Sequence, residues 1–237
     1  MQDLHIASAF DRDLEAIQAQ IMKMGGLVES AIMEAAISLE TRDEERAEAV
    51  RRADKQIDAL EQTINEEAAR VIALRAPTAS DLRLILSVIK VSANLERIGD
   101  YAKNIAKRTS VLAQLTPIND SAGALRRMGK EVERMLKDAL DAYVSRDADL
   151  AQNVIDRDRD VDQMYNALFR EFLTFMMEDH RNISACMHLH FIAKNIERMG
   201  DHVTSVAEQV VYLVTGEIPD ESRPRADKTS VTVPEVE

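Results

Sequence analysis

Asn94-Leu95-Glu96-Arg97-Ile98-Gly99-Asp100 recurs as Asn195-Ile196-Glu197-Arg198-Met199-Gly200-Asp201, with only the apolar positions altered. The chain therefore reads as a tandem duplication. In each copy two carboxylates stand four residues apart, which on an α-helix sets them one above the other on a single face. Like charges so placed repel by about 0.2–0.5 kcal/mol on a solvated helix. One such pair is tolerable noise, whereas the same pair in both halves invites a bound cation. The motif glycines also cost about 1 kcal/mol each relative to alanine in mid-helix. Something close-packed is therefore expected beside Gly99 and Gly200, either a neighbouring helix or a ligand.

The duplication extends outward from the motifs. Met24-Gly25 is answered by Met128-Gly129, Val28-Glu29 by Val132-Glu133, Arg42-Asp43 by Arg146-Asp147, Asp54 by Asp158 and Asp58 by Asp162, all at an offset of 104 residues (24 to 128). The motifs themselves are offset by 101 (96 to 197). Three residues thus drop out between the second and third helices of the second copy, in a connection where length changes are tolerated.

Leu14, Ile17, Ile21, Met24, Val28, Ala31, Ile32, Ala35 and Leu39 recur at threes and fours and predict a first helix from Asp11 to Leu39. Thr41-Arg42-Asp43 supplies a turn and a cap, and Val50, Ile57, Ile64 and Val71 then repeat every seventh residue along a second helix. That helix stops at Ala76-Pro77, and Ser80 or Asp81 is expected to cap a third running through the opening motif to about Val111. The fold class is all-α: six long helices, two tandem three-helix repeats packed into one bundle. The first repeat spans 1–116 and the second 117–216, while 217–237 loses all periodicity and is expected to be disordered.

Composition agrees: 46% of the 237 residues are apolar and 30% charged, with seven Gly, five Pro and no Trp to interrupt helices. A net charge of −12 without basic runs excludes a nucleic-acid footprint. The lone Cys186 forms no intrachain disulfide, and Met1 to Asp13 has no signal-peptide pattern, so a cytosolic, cytoplasmic chain is expected. No apolar run approaches the ~20 residues of a membrane span. Any membrane association is expected to go through a partner.

Asp54 and Asp58 lie on the second helix, Asp158 and Asp162 on its copy, again four apart. Short connections make the second and third helices of each repeat antiparallel neighbours. If the pairs face each other, Asp54, Asp58, Glu96 and Asp100 form one cluster, and Asp158, Asp162, Glu197 and Asp201 a second. Such oxygen sets suit hard or borderline cations: Mg²⁺, Mn²⁺, Fe or Zn²⁺. The plainer reading is acids facing water beside Arg and Lys, and their retention in register in both halves weighs against it. Cys186 to His190 has metal-ligand spacing, but the first repeat carries Ile85, Ile89 and Tyr101 opposite Cys186, His190 and His202. His188, His190 and His202 are therefore read as packing or capping residues. There is no Glu-x-x-His of a di-iron bundle, no phosphate loop and no nucleophile with a base. A non-enzymatic adaptor is expected; the alternative is a metal-dependent all-α bundle enzyme, an oxidase or phosphohydrolase, and a third reading is a metal-free scaffold.

The duplicated Asn-x-Glu-Arg-x-Gly-Asp on third helices, with Asp-x-x-x-Asp on second helices, resembles the PhoU family, regulators of bacterial phosphate uptake and signalling. The resemblance covers about residues 10–216, and all eight acidic positions match. It implies a six-helix body, a multinuclear metal cluster in each repeat and a cytoplasmic role. It also implies two partners, the ATPase of the phosphate ABC transporter and the phosphate-sensing histidine kinase. The kinase would be held in its repressing state when phosphate is plentiful, making the protein a negative regulator. A homodimer is also expected.

Overall fold

The computed structural model describes residues 2–75, 77, 79–118 and 120–217. Six helices follow one another: α1 (Gln2–Thr41), α2 (Glu44–Arg75), α3 (Ala79–Leu112), α4 (Ser121–Ser145), α5 (Ala148–Glu178) and α6 (Ile183–Thr215), with one 3-10 turn at His180–Asn182 before α6. The expected disorder of 217–237 falls, apart from Glu217, outside the described residues.

The periodic positions line the interior. Ile17, Ile21, Met24 and Val28 of α1, Ile57 and Ile64 of α2, and Leu95 and Ile98 of α3 are buried, as are Met128, Val132 and Met135 of α4, Val154 and Val161 of α5, and Ile196 and Val203 of α6. Burying each large aliphatic side chain contributes about 1.5–3 kcal/mol. Two boundaries differ from expectation. α1 begins at Gln2, not Asp11, because neither Gly nor Pro interrupts this stretch and each added residue gains a helical hydrogen bond. α3 begins at Ala79, so Ser80 and Asp81 lie inside its first turn; there the Asp81 carboxylate suits the positive end of the helix dipole.

The first corner of each repeat is built identically. Arg42 and Arg146 adopt left-handed backbone at φ 56° and 57°, a conformation that costs a non-glycine residue about 1–2 kcal/mol. The aspartate that follows offsets much of this as an N-cap, worth about 1 kcal/mol. Asp43 Oδ1 accepts from the Arg46 amide at 2.9 Å, and Asp147 Oδ1 from the amides of Asp149 and Leu150 at 3.0 and 2.9 Å.

α1, α3, α4 and α6 form the centre; α2 lies against α1 and α3, and α5 against α4 and α6. Ile32 and Ala36 of α1, Ile105 of α3, Leu125 and Gly129 of α4, and Ile192 and Ile196 of α6 meet where the four central helices join. α3 and α6 run antiparallel, since His202 pairs with Asn94 at 2.8 Å and Arg108 with His188 at 3.2 Å. The flanking helices therefore bring the second and third helices of each repeat face to face, which is where the acidic pairs lie.

Candidate metal centre

In the first repeat α2 and α3 bring all four acids into electrostatic contact, but with unequal burial. Asp54 is buried, Asp58 is exposed, and Glu96 and Asp100 are partly covered. The ammonium of Lys103 stands between the helices, 2.5 Å from Asp54 Oδ2 and 3.0 Å from Asp100 Oδ1. Both contacts hold that ammonium in its charged form and push its pKa up. Asp58 is pushed up instead, first by burial and then by Asp54, with Asp100 and Glu61 adding to it and Lys103 opposing. Glu96 is raised in the same way, by burial and then by Asp100, with Asp58 and Glu61 contributing and Arg97 opposing. Four predicted acids and a fifth, Glu61, thus share one field. Asp54 Oδ1 is enclosed and has no hydrogen-bond partner.

The second repeat buries its acids more deeply. Asp158, Asp162 and Glu197 are only 5%, 5% and 6% exposed, while Asp201 is partly covered one turn beyond Glu197. Here Lys194 donates to Glu197 Oε1 at 2.8 Å and lies 4.9 Å above the ring centre of Tyr165. Tyr165 occupies the counterpart position of Glu61.

The motif glycines serve this helix contact. A Cβ on Gly99 would stand 3.0 Å from Ile57 Cδ1 and 3.7 Å from Asp54 Oδ1; one on Gly200 would stand 3.0 Å from Asp158 Oδ1. The close neighbour expected beside each glycine is therefore the adjacent helix, including the carboxylate that helix carries.

Oxygen donors alone suit a hard cation, and the unpartnered Asp54 Oδ1 is an acceptor that such an ion would satisfy. As the side chains lie, no three His, Cys, Asp or Glu groups among the described residues converge in a way that could hold a metal ion. In the first repeat Asp54 and Asp100 point at the Lys103 ammonium, and Glu96 lies beside Arg97. Neither Lys103 nor Lys194 was singled out in the sequence, although each stands three residues from a motif acid. The histidines lie in packing environments. The His202 ring is 5.6 Å from that of Tyr101, and His190 is within 6.0 Å of the rings of Tyr165, Phe169 and Phe191. Burial pushes the pKa of both His188 and His202 down.

The PhoU domain model matches the chain twice, over residues 21–109 and 125–210, once in each repeat. The chain is 43% identical over 226 residues to a phosphate-specific transport system accessory protein PhoU homolog of Caulobacter vibrioides, covering 95% of this chain and 98% of that one. It is 46% identical to the protein of the same description from Zymomonas mobilis, with 92% of each chain covered. The crystal structure of PhoU from Pseudomonas aeruginosa superposes with a TM-score of 0.84 at 41% identity, over 88% of this chain and all of that one. The phosphate transport system regulatory protein PhoU from Streptococcus pneumoniae does so with 0.81 at 32% identity, over 89% and 99%.

Proposed function

The chain belongs to the PhoU family, and from that premise we propose that it is a non-enzymatic accessory regulator of phosphate transport, acting as a negative regulator of phosphate-starvation signalling. The observation that carries this reading is the near-full-length relation to accessory proteins of the phosphate-specific transport system, at 43% and 46% identity. No helix among the described residues is long and apolar enough to cross a membrane. The protein then reaches the bilayer from the cytoplasm by docking on partners, the ATPase subunit of the phosphate ABC transporter and the phosphate-sensing histidine kinase, and works as a homodimer.

In this reading Asp54, Asp58, Glu96 and Asp100 hold one cation cluster, and Asp158, Asp162, Glu197 and Asp201 the other. A bound polyvalent cation supplies positive charge that neutralises the carboxylates and ties the second helix of each repeat to the third. The carboxylates carry no nucleophile or general-base arrangement of the kind a hydrolase needs. That is why a regulator is favoured over the metal-dependent oxidase or phosphohydrolase.

Deleting the protein tests the regulatory sign. Phosphate-starvation genes should be derepressed in phosphate-rich medium, and repression should return when the wild-type chain is supplied in trans. Silent reporter genes in the deletion strain would overturn the proposal. Turnover of oxygen or a phosphate ester by the metal-loaded protein above ~1 s⁻¹ would favour the enzyme reading.

A further inference from the structure

Ten large apolar side chains are exposed among the described residues, and seven of them belong to α3 or α6, so the uncovered apolar surface is concentrated on one helix pair. Leu82 and Leu86 of α3 are matched, at the motif offset, by Ile183 and Met187 of α6, and all four are exposed. Since α1 and α2 pack on α3, and α4 and α5 on α6, the side of the pair that faces away from α1 and α4 is the open one. Asn94 against His202 and Arg108 against His188 fix the register of the two helices, and in that register Met187 is level with Thr109. Leu86 and Met187 therefore lie 23 residues apart along the pair (86 to 109), about 35 Å at 1.5 Å per residue. At each end an arginine of α3 lies over an aromatic ring of α6. Arg108 is 4.4 Å from the ring centre of Phe191, and Arg83 is 5.3 Å from that of Tyr212.

Charge follows the same plan. The exposed charged residues of these two helices are Lys90, Arg97 and Lys107 of α3 and Arg198 of α6, all basic on a chain of net charge −12. In the register above Arg97 is level with Met199, so Arg97 and its counterpart Arg198 meet at the middle of the face. Exchanging α3 and α6 about that middle carries Leu82 and Leu86 onto Ile183 and Met187, and Arg97 onto Arg198. The face thus repeats itself about a two-fold axis within one chain.

We propose that this face docks a protein partner whose surface is acidic and studded with apolar side chains, and which is itself two-fold symmetric, so that one chain sits across the axis of a partner dimer. The inference rests on the reading of the chain as an adaptor that works through partners, and deepens it. Charge selects the occupant. A second copy meeting this face with its own would set the same four cations against one another, whereas an acidic surface is attracted and steered to it. Symmetry selects the occupant's form, because matching apolar ends and matching central arginines are met equally well by the two halves of a dimer whose axis coincides with that of the face. Exposed Met and Phe beside Arg are also the residue types that anchor interfaces.

The test titrates the full chain against the purified phosphate-sensing histidine kinase and, separately, against the ATPase subunit in its assembled transporter, with affinity and stoichiometry both measured. At least one should bind with one chain per two partner chains, and more weakly as salt rises. Leu86→Glu and Met187→Glu should each weaken that binding by about tenfold or more, and by similar factors. Arg97→Glu combined with Arg198→Glu should weaken it by about tenfold or more and flatten its salt dependence. Val144→Glu, at an exposed apolar position of α4, should change it by less than about threefold. Melting curves check that each variant is folded, and Leu86→Gln and Met187→Gln serve if the glutamates are not. Variants that bind as the wild type does, or a stoichiometry of one to one, overturn this inference while leaving the adaptor reading intact. Self-association, or binding to phosphatidylglycerol vesicles, that Leu86→Glu and Met187→Glu abolish likewise overturns it and assigns the face to a second copy or to lipid. No binding of the wild type to either protein overturns the adaptor reading itself.

Discussion

Three helical glycines separate propensity from packing, because what their missing side chains would meet differs. Alanine at an exposed mid-helix glycine stabilises by about 1 kcal/mol. At Gly26 a Cβ would have nothing within 4 Å, so Gly26→Ala should realise that gain in full. In a chain of this size this raises the melting temperature by about 2–4 °C. At Gly99 the new methyl would stand 3.0 Å from Ile57 Cδ1 and 3.3 Å from Cγ2, and Ile57 is itself buried. Overpacking of this kind costs about 1–3 kcal/mol, leaving Gly99→Ala between neutral and about 2 kcal/mol destabilised. Gly200→Ala meets Asp158 Oδ1 at 3.0 Å and Val161 Cγ1 at 3.4 Å, and should fall in the same range. Thermal and urea unfolding of the three variants at neutral pH in EDTA should therefore place Gly26→Ala above the wild type and the other two at or below it. Equal stabilisation of all three would refute the argument that the motif glycines are there to admit the neighbouring helix.

Two further variants test charge placement between α1 and α4, and between α4 and α5. The Glu29 carboxyl is raised from its ordinary value, first by burial and then by Glu133 and Asp141, with Lys137 opposing. A raised carboxylate contributes stability that is present below its unfolded pKa and lost as pH rises through the folded one. Glu29→Gln should therefore stabilise by about 0.5 kcal/mol at pH 7, with the gain gone below about pH 4; a gain that persists at acid pH would contradict this. Arg157 clamps α5 to α4 through Glu131 at 2.7 Å and Asp138 at 2.5 Å. Arg157→Met should lower the urea midpoint by the equivalent of about 1–2 kcal/mol, more than the exposed Arg51→Met, whose Glu48 partner lies on the same helix. An equal effect of the two substitutions would mean that the clamp contributes nothing beyond a surface ion pair.

The helices were legible because burial imposes a period. Ile17, Ile21, Met24 and Val28 can all be covered only if the backbone turns once every 3.6 residues, and α1 covers them. The corners were legible because an aspartate after each arginine offers a cap. The acids were legible as a set but not as individuals. Asp54 and Asp58 look equivalent in the sequence, yet only the first faces α3 closely enough to be enclosed. Their copies Asp158 and Asp162 are both buried. The lysines escaped notice for a related reason. Along the helix, Lys103 is an ordinary solvated partner of Asp100 three residues away. That the same ammonium also reaches Asp54 depends on the packing of α2 and on the rotamer of a long side chain, and periodicity reports neither.

The way the repeats meet constrains what can distinguish their sites. Gly25 faces Leu140, and the counterpart pair is Gly129 facing Ala36. Tyr101 packs its ring against that of His202, its own counterpart, and Glu29 feels Glu133, again its counterpart. A contact between residue i and the copy of j, matched by one between j and the copy of i, is the signature of a self-complementary interface. The two halves pack as a symmetric dimer does, although one chain supplies both. Such an arrangement gives α2 with α3 and α5 with α6 equivalent surroundings, so the backbone supplies no difference between the two clusters. Any inequality must come from side chains that broke the symmetry after duplication. Near the acids these are Glu61 against Tyr165, Ala93 against Lys194, and Lys103 against Thr204. Lys103 bonds a carboxylate on each of its two helices, Asp54 and Asp100. The same fold therefore surrounds matching acids with different neighbours.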